Sequence, residues 1–157
     1  MQTPTNHPND LVIERVIAAS PEKLYRCWTE PALLQQWFVP QPWSVARIEQ
    51  DLRPGGGCTV VMRDPDGNEF PNPGVYLELV PNRRIVFTDA YGPGWQPSAK
   101  PFMTAIVTFD PEGDNATRYT ARARHWTEEA RQQHEAMGFY TGWGICADQL
   151  AALAATL

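Results

Sequence analysis

The sequence predicts an α+β fold in which an antiparallel sheet of about six to seven strands packs against one long C-terminal helix. Residues 127–157 contain no proline and repeat large apolar side chains at helical spacing. Residues 43–125 instead show a period of two, cut by turn residues at regular intervals, as short antiparallel strands do. Two helix-start signals, at Ser20 and at Thr29, follow the first apolar run, so two short helices are expected before the main strands.

Length and composition are those of a single domain. The chain has 157 residues, of which 43% are hydrophobic, and we assign residues 11–157 to one domain preceded by a flexible polar segment, residues 1–10. The net charge of −5 argues against nucleic acid or an anionic membrane surface as the main partner. No apolar run approaches the roughly 20 residues of a membrane span, and the expected location is cytoplasmic.

The cysteines and histidines show no metal-ligand spacing, so the sequence predicts no metal, no cofactor and no disulfide framework. These residues are Cys27, Cys58, Cys146, His7, His125 and His134. Buried free thiols are the expected state, and a reactive Cys146 facing a pocket is the alternative.

The N-terminal elements follow from local signals. The apolar run Leu11 to Ile17 predicts a strand. Ser20 is suited to cap a helix that begins at Pro21, and Thr29 to Pro31 repeat the same signal for a second short helix, which ends at Pro40.

Turn residues then divide the chain into six strands. They are predicted near Ser44 to Asp51, Cys58 to Arg63, Gly74 to Val80, Arg84 to Tyr91, Phe102 to Phe109 and Arg118 to His125. Residues 54–57, Pro-Gly-Gly-Gly, lead into a strand rather than a helix and lack the lysine of a phosphate loop, so they indicate a corner that bends the sheet. Residues 90–101 are either a lid over a cavity or an idle loop.

The predicted C-terminal helix begins at the N-cap Thr127 and runs to Leu157, with Gly138, Gly142 and Gly144 inside it. Each glycine costs about 1 kcal/mol relative to alanine, which indicates a kink near Gly138 or space for a neighbouring backbone or ligand. The apolar stripe consists of Phe139, Trp143, Cys146, Leu150, Leu153 and Leu157. Trp143 is predicted to matter most for stability and pocket shape, because the flanking glycines leave space around its ring.

Four ordered motifs carry a family resemblance. They are RVIAASPEKLYRCWTEPALLQQWFVP, DLRPGGGCTVVMRDPDG, GVYLELVPNRRIVFTDAY and MGFYTGWGICADQL. Together they resemble the SRPBCC superfamily, and more narrowly its branch homologous to the activator of the heat-shock chaperone ATPase, from about Leu11 to Leu153. The resemblance implies a helix-grip fold, in which a curved antiparallel sheet grips the long helix and encloses a cavity.

Family motifs map onto Trp37, Pro40, Gly55, Gly56, Gly74, Glu78, Pro81, Gly142 and Trp143. The chain departs from the family pattern at Cys58, where relatives tend to have a large aromatic residue, and at Asp89, where many have tryptophan. The resemblance therefore implies a roomier and more polar cavity at these two points.

The alternation of the strands and the helix stripe together predict a set of pocket residues. These are Trp37, Trp43, Cys58, Val60, Met62, Phe87, Tyr91, Phe102, Phe139 and Trp143. They form either a ligand site or a dry core. The first hypothesis is a non-catalytic binding protein for a small hydrophobic or aromatic molecule.

Two further functions stay open. A cyclase or hydrolase would need acid–base groups in the pocket, and Glu78, Asp89, Tyr91 and His125 are the weak candidates for that catalytic role. A protein-interaction module would be a homodimer or a co-chaperone, with binding to the host chaperone the less favoured of the two.

Overall fold

The computed structural model describes residues 7–157, and these form four helices and ten strands. The helices are α1 (Pro21–Thr29), α2 (Pro31–Leu34), α3 (Glu128–Ala136) and α4 (Phe139–Ala154). The strands are β1 (Asp10–Ile17), β2 (Ser44–Gln50), β3 (Cys58–Arg63), β4 (Glu69–Asn72), β5 (Val75–Val80), β6 (Arg84–Thr88), β7 (Tyr91–Gly92), β8 (Gln96–Pro97), β9 (Thr104–Pro111) and β10 (Thr117–Arg124).

Within residues 7–157 the strands are arranged in two main antiparallel sheets and a small hairpin. The larger sheet has the order β1-β10-β9-β6-β5, the second has the order β2-β3-β4, and β7 pairs with β8. An isolated bridge between Gly57 and Val75 connects the two main sheets. The predicted glycine corner lies at this junction: a Cβ on Gly56 would stand 2.0 Å from the carbonyl oxygen of Asp51, so only glycine fits.

The paired helices begin where the sequence predicts. Ser20 caps α1 by accepting a hydrogen bond from the amide of Lys23 at 3.2 Å, and Pro21 occupies the first turn. The buried face of α1 consists of Leu24, Cys27 and Trp28. The second helix is shorter than predicted, because α2 ends at Leu34 and residues 35–40 continue as turns.

The single C-terminal helix predicted from Thr127 to Leu157 is two helices. Thr127 does cap α3, accepting from the amide of Ala130 at 3.0 Å. Gly138 then adopts φ +97° and ψ +37°, a left-handed conformation that an uninterrupted α-helix cannot contain. The predicted kink near Gly138 is therefore a break between α3 and α4.

The core lies where α4 packs on β1 and α1. From the predicted stripe, Phe139 and Leu150 are buried, whereas Trp143 is only partly buried. The other two helical glycines, Gly142 and Gly144, face other elements of the fold. A Cβ on Gly144 would approach Nη2 of Arg15 to 3.1 Å, and one on Gly142 would meet Cγ of Pro40 at 4.0 Å.

The predicted N-terminal segment, residues 1–10, is described from His7 onward, and residues 1–6 lie outside the described part. Its last two residues belong to the folded domain. The carbonyl oxygen of Asn9 accepts a hydrogen bond from the amide of His125 at 3.1 Å. The side chain of Asp10 is 2% exposed and forms ion pairs with Arg122 and Arg124.

The α+β prediction is confirmed: antiparallel sheets, two short helices after β1, and a long helix near the C-terminus that packs on β1. Within residues 7–157, no helix combines the length and the apolar character that crossing a membrane requires.

Candidate functional site

A cavity of about 420 Å³ lies between the sheets and the C-terminal helices. Drug-sized ligands occupy pockets of roughly 300 to 1,000 Å³, so the volume suits a small molecule. Most of its lining is apolar, with a few polar groups among aromatic rings. The lining residues are Ile13, Trp28, Trp37, Phe38, Val39, Pro40, Cys58, Val60, Met62, Asn72, Pro73, Gly74, Phe87, Thr88, Asp89, Phe102, Met103, Tyr119, Ala121, His134, Met137, Gly138, Phe139, Gly142, Trp143 and Cys146.

The aromatic rings of this lining contact one another. Trp28 packs edge-on against Trp37 with ring centroids 4.9 Å apart, and lies 5.7 Å from Phe87. Across the cavity, Phe139 and Trp143 of α4 are 4.6 Å apart. Packed rings of this kind give the cavity walls of defined shape.

One wall is fixed by hydrogen bonds to backbone groups. The side chain of Gln149, on α4, donates to the carbonyl oxygens of Trp37 and Val39 at 3.0 and 2.8 Å and accepts from the amide of Gln41 at 3.2 Å. In the same wall the indole of Trp37 donates to the carbonyl oxygen of Cys27 at 2.9 Å. Residues 37–41 are therefore tied to both α4 and α1.

The mouth of the cavity lies on another side. Among its lining residues, Asn72, Pro73 and Met137 are the exposed ones, and Met137 is 75% exposed. Asn72 is the last residue of β4 and Pro73 lies in the turn that leads to β5, whereas Met137 lies in the break between α3 and α4. These two segments form the rim.

The thiol and phenol groups of the lining are protonated at neutral pH. Burial raises the pKa of the Cys146 thiol to about 12 and also raises the pKa of Cys58. Burial likewise raises the pKa of the Tyr119 phenol well above its usual value. A thiol with a raised pKa is a poor nucleophile, so the alternative of a reactive Cys146 loses its support.

A pair of buried histidines contributes the most distinctive polar group. Nδ1 of His125 lies 2.8 Å from the carbonyl oxygen of Asn9, and its Nε2 lies 2.9 Å from Nδ1 of His134. His134 lines the cavity and is 8% exposed. Burial, together with the neighbouring His125, lowers the pKa of His134 from 6.5 to about 4.

Asp89 also lines the cavity, but its carboxylate is occupied by backbone amides. Its oxygens accept hydrogen bonds from the amide of Phe102 at 2.8 and 3.0 Å and from that of Met103 at 3.1 Å. The carboxylate therefore holds the chain that follows residues 90–101 in place.

Comparisons with known proteins agree with this architecture. The profile of the family described as Activator of Hsp90 ATPase homolog 1-like protein matches residues 18–155. The chain belongs to this family. The resemblance to that branch of the SRPBCC superfamily is thereby confirmed, and so is the helix-grip-like fold.

Solved structures extend the family match. A protein from Nitrosomonas europaea is 41% identical, with 96% of this chain and 97% of that chain covered and a TM-score of 0.92. A protein from Mycobacterium smegmatis is 27% identical, with 92% of this chain and 89% of that chain covered and a TM-score of 0.76. A protein from Chromobacterium violaceum is 28% identical, with 93% of this chain and 97% of that chain covered and a TM-score of 0.75. A comparison with curated proteins found no match.

Eight of the ten predicted pocket residues line the cavity of this family member: Trp37, Cys58, Val60, Met62, Phe87, Phe102, Phe139 and Trp143. Trp43 and Tyr91 do not. Trp43 precedes β2, is 38% exposed and packs on Phe70 with ring centroids 5.5 Å apart. Tyr91 lies beyond the end of β6, is 39% exposed and contacts Trp95.

None of residues 90–101 lines the cavity, so this segment does not act as a lid in the structure. It forms the β7–β8 hairpin instead and contributes to a second, open concavity of about 460 Å³. Trp95, at its tip, packs so closely on Gly55 that a Cβ there would stand 2.7 Å from the indole ring.

The four weak catalytic candidates are not brought together as an acid–base set. Glu78 forms an ion pair with Arg84, and Tyr91 faces the second concavity. Asp89 lines both hollows, while His125 reaches the main cavity only through His134. In the described part of the chain, no hydrogen bond joins any two of these four.

Sequence reasoning missed His134. One signal could have found it, because His134 lies four residues after Ala130 and therefore on the same face as this apolar residue of an otherwise polar helix. Within residues 7–157, no three His, Cys, Asp or Glu side chains come together in a group that could hold a metal ion.

Proposed function

We propose that the protein binds a small hydrophobic or aromatic molecule in the cavity between its sheets and its C-terminal helices. The observation that carries the proposal is the cavity itself, about 420 Å³ in volume and walled by aromatic rings. An apolar hollow with few polar groups gains free energy when an apolar ligand fills it. Binding rather than catalysis is supported because the candidate acids and bases are scattered or already hydrogen-bonded.

The first experiment identifies what the cavity takes up. The protein is purified from its own host under mild conditions and examined by native mass spectrometry, and a thermal-shift screen of lipids and aromatic polyketides is run in parallel. A bound mass that is lost on denaturation, together with a rise in the unfolding temperature, is the expected result. Absence of both would remove the proposal.

A matched pair of variants locates the binding. Cys58 lines the cavity, whereas the next residue, Thr59, lies on the opposite face of β3 and does not. Cys58→Phe adds a ring inside the cavity and is expected to weaken binding at least tenfold. Thr59→Phe adds the same bulk outside it and should leave affinity unchanged. Equal affinities for the two variants would place the ligand elsewhere.

The partner hypotheses remain predictions. The family description suggests an effect on the host chaperone, which a measurement of its ATPase rate with and without the protein tests. Homodimerisation is tested by light scattering at micromolar concentration, where a monomer mass counts against it.

A further inference from the structure

We infer that the ligand of this cavity carries a hydroxyl or N–H group that donates a hydrogen bond to Nε2 of His134. This inference rests on the proposed function and narrows it, because it selects phenols, alcohols and similar donors from the wider class of apolar molecules. It follows from the order of hydrogen bonds that begins at Asn9.

The tautomer of His125 is fixed by the carbonyl group of Asn9. The carbonyl oxygen of Asn9 can only accept, so the nitrogen 2.8 Å from it, Nδ1 of His125, carries the proton. A neutral imidazole has one N–H, and therefore Nε2 of His125 is a bare acceptor.

His125 in turn determines the tautomer of His134. Nδ1 of His134 lies 2.9 Å from the bare Nε2 of His125, so it must be the donor in that contact. The remaining nitrogen of a neutral His134, Nε2, then carries a lone pair and no proton. Asn9 and His125 together determine which nitrogen of His134 is left to accept.

Both rings lie in surroundings that favour a neutral imidazole. His125 is 3% exposed and His134 is 8% exposed. In the described residues, neither ring forms an ion pair with a carboxylate, which would be needed to stabilise a buried imidazolium.

The surroundings of His134 place this acceptor in the cavity wall. The imidazole lies among Phe102, Phe139 and Trp143, with ring centroids 4.7, 5.2 and 5.9 Å away, and all four residues line the cavity. Among residues 7–157, Nε2 has no hydrogen-bond partner. In this apolar, aromatic environment the lone pair on Nε2 accepts a hydrogen bond from a ligand that has an O–H or N–H donor. A ligand without such a donor leaves the lone pair without a partner.

The test compares two probes of nearly equal shape, 2-naphthol and 2-methoxynaphthalene, by isothermal titration calorimetry at pH 7. They differ in that 2-naphthol has an O–H donor. The wild-type protein is expected to bind 2-naphthol about tenfold more tightly, the value of one well-formed hydrogen bond. His134→Phe keeps a planar ring and removes the acceptor, so it should bind both probes with the affinity of the methoxy compound.

The outcomes separate this inference from the proposed function. If both probes bind the wild type equally, the cavity binds apolar molecules but the donor requirement is wrong. If His134→Phe keeps the preference for 2-naphthol, another group is the acceptor and the inference is again wrong. If neither probe binds, the proposed function fails and the inference fails with it.

A measurement on the unmutated protein avoids any effect of His134→Phe on folding. Long-range proton–nitrogen correlation spectra distinguish protonated from bare ring nitrogens. Proton on Nδ1 and none on Nε2 is expected for both histidines, and the Nε2 signal of His134 should shift with 2-naphthol but not with the methoxy probe. A proton on Nε2 of His134 would overturn the inference.

Discussion

Gly138 and Gly142 lie four residues apart, and the same change to alanine is expected to act on them in opposite directions. Gly138 has φ +97°, and a Cβ there would meet nothing within 4 Å. The cost of Gly138→Ala is therefore that of a left-handed backbone alone, about 1 to 2 kcal/mol. For a chain of this size, 1 kcal/mol corresponds to a shift of about 2 to 4 °C in Tm.

Gly142 is the matched control. It lies inside α4, and a Cβ on it would meet Cγ of Pro40 at 4.0 Å, an ordinary contact. Gly142→Ala should therefore raise the free energy of unfolding by about 0.5 to 1 kcal/mol through the better helix propensity of alanine. Urea denaturation with a shared m-value gives both numbers.

A gain of stability in both variants would contradict the left-handed conformation of Gly138. It would mean that the helix runs without interruption through residue 138, as the apolar periodicity alone predicts. A loss of stability at Gly142 would show that its missing side chain is needed for packing against Pro40.

Three other substitutions or conditions test the packing and the buried charges. Trp143→Ala should cost about 2 kcal/mol of stability, below the roughly 3 to 5 kcal/mol of a fully buried aromatic residue, because the ring is only partly buried. A larger loss in urea denaturation would contradict this partial burial. Asp10→Asn should cost about 3 to 5 kcal/mol of stability, because it removes the carboxylate that pairs with the buried guanidinium of Arg122. The control Asp51→Asn, which disrupts an exposed ion pair, should change stability by under about 1 kcal/mol, and similar losses in the two variants would be inconsistent with the burial of Asp10. As the pH falls from about 6.5 to about 4, the unfolded chain takes up a proton at His134 that the folded protein does not, so the stability of the wild type should decrease. The decrease should be smaller in His134→Phe, and identical pH profiles of the two proteins would refute the lowered pKa of His134.

Features fixed by local chemistry were predictable from the sequence. The caps Ser20 and Thr127 and the glycine corner each depend on a few neighbouring atoms, and each is found where predicted. The alternation of side chains also predicted Cys58 and Val60 as cavity residues, because every second side chain of a continuous strand points to the same face of the sheet.

Features set by tertiary pairing were not predictable in the same way. Strand β4 reads Glu-Phe-Pro-Asn, which has no strand pattern and includes a proline, and it is ordered by pairing with β3. Tyr91 was misplaced because β6 ends at Thr88, after which alternation no longer says where a side chain points. The histidine pair depends on Asn9, which is 116 residues from His125 in the chain.

The hydrogen bonds of Gln149 have a kinetic consequence. Because one amide side chain holds residues 37–41 against α4, this wall and the helix move together, and separating them would break three hydrogen bonds at once. A ligand bound as proposed would therefore exchange at the rim formed by Asn72, Pro73 and Met137. The residence time of such a ligand would depend on the motion of this rim, whereas its affinity would depend on contacts with the aromatic interior.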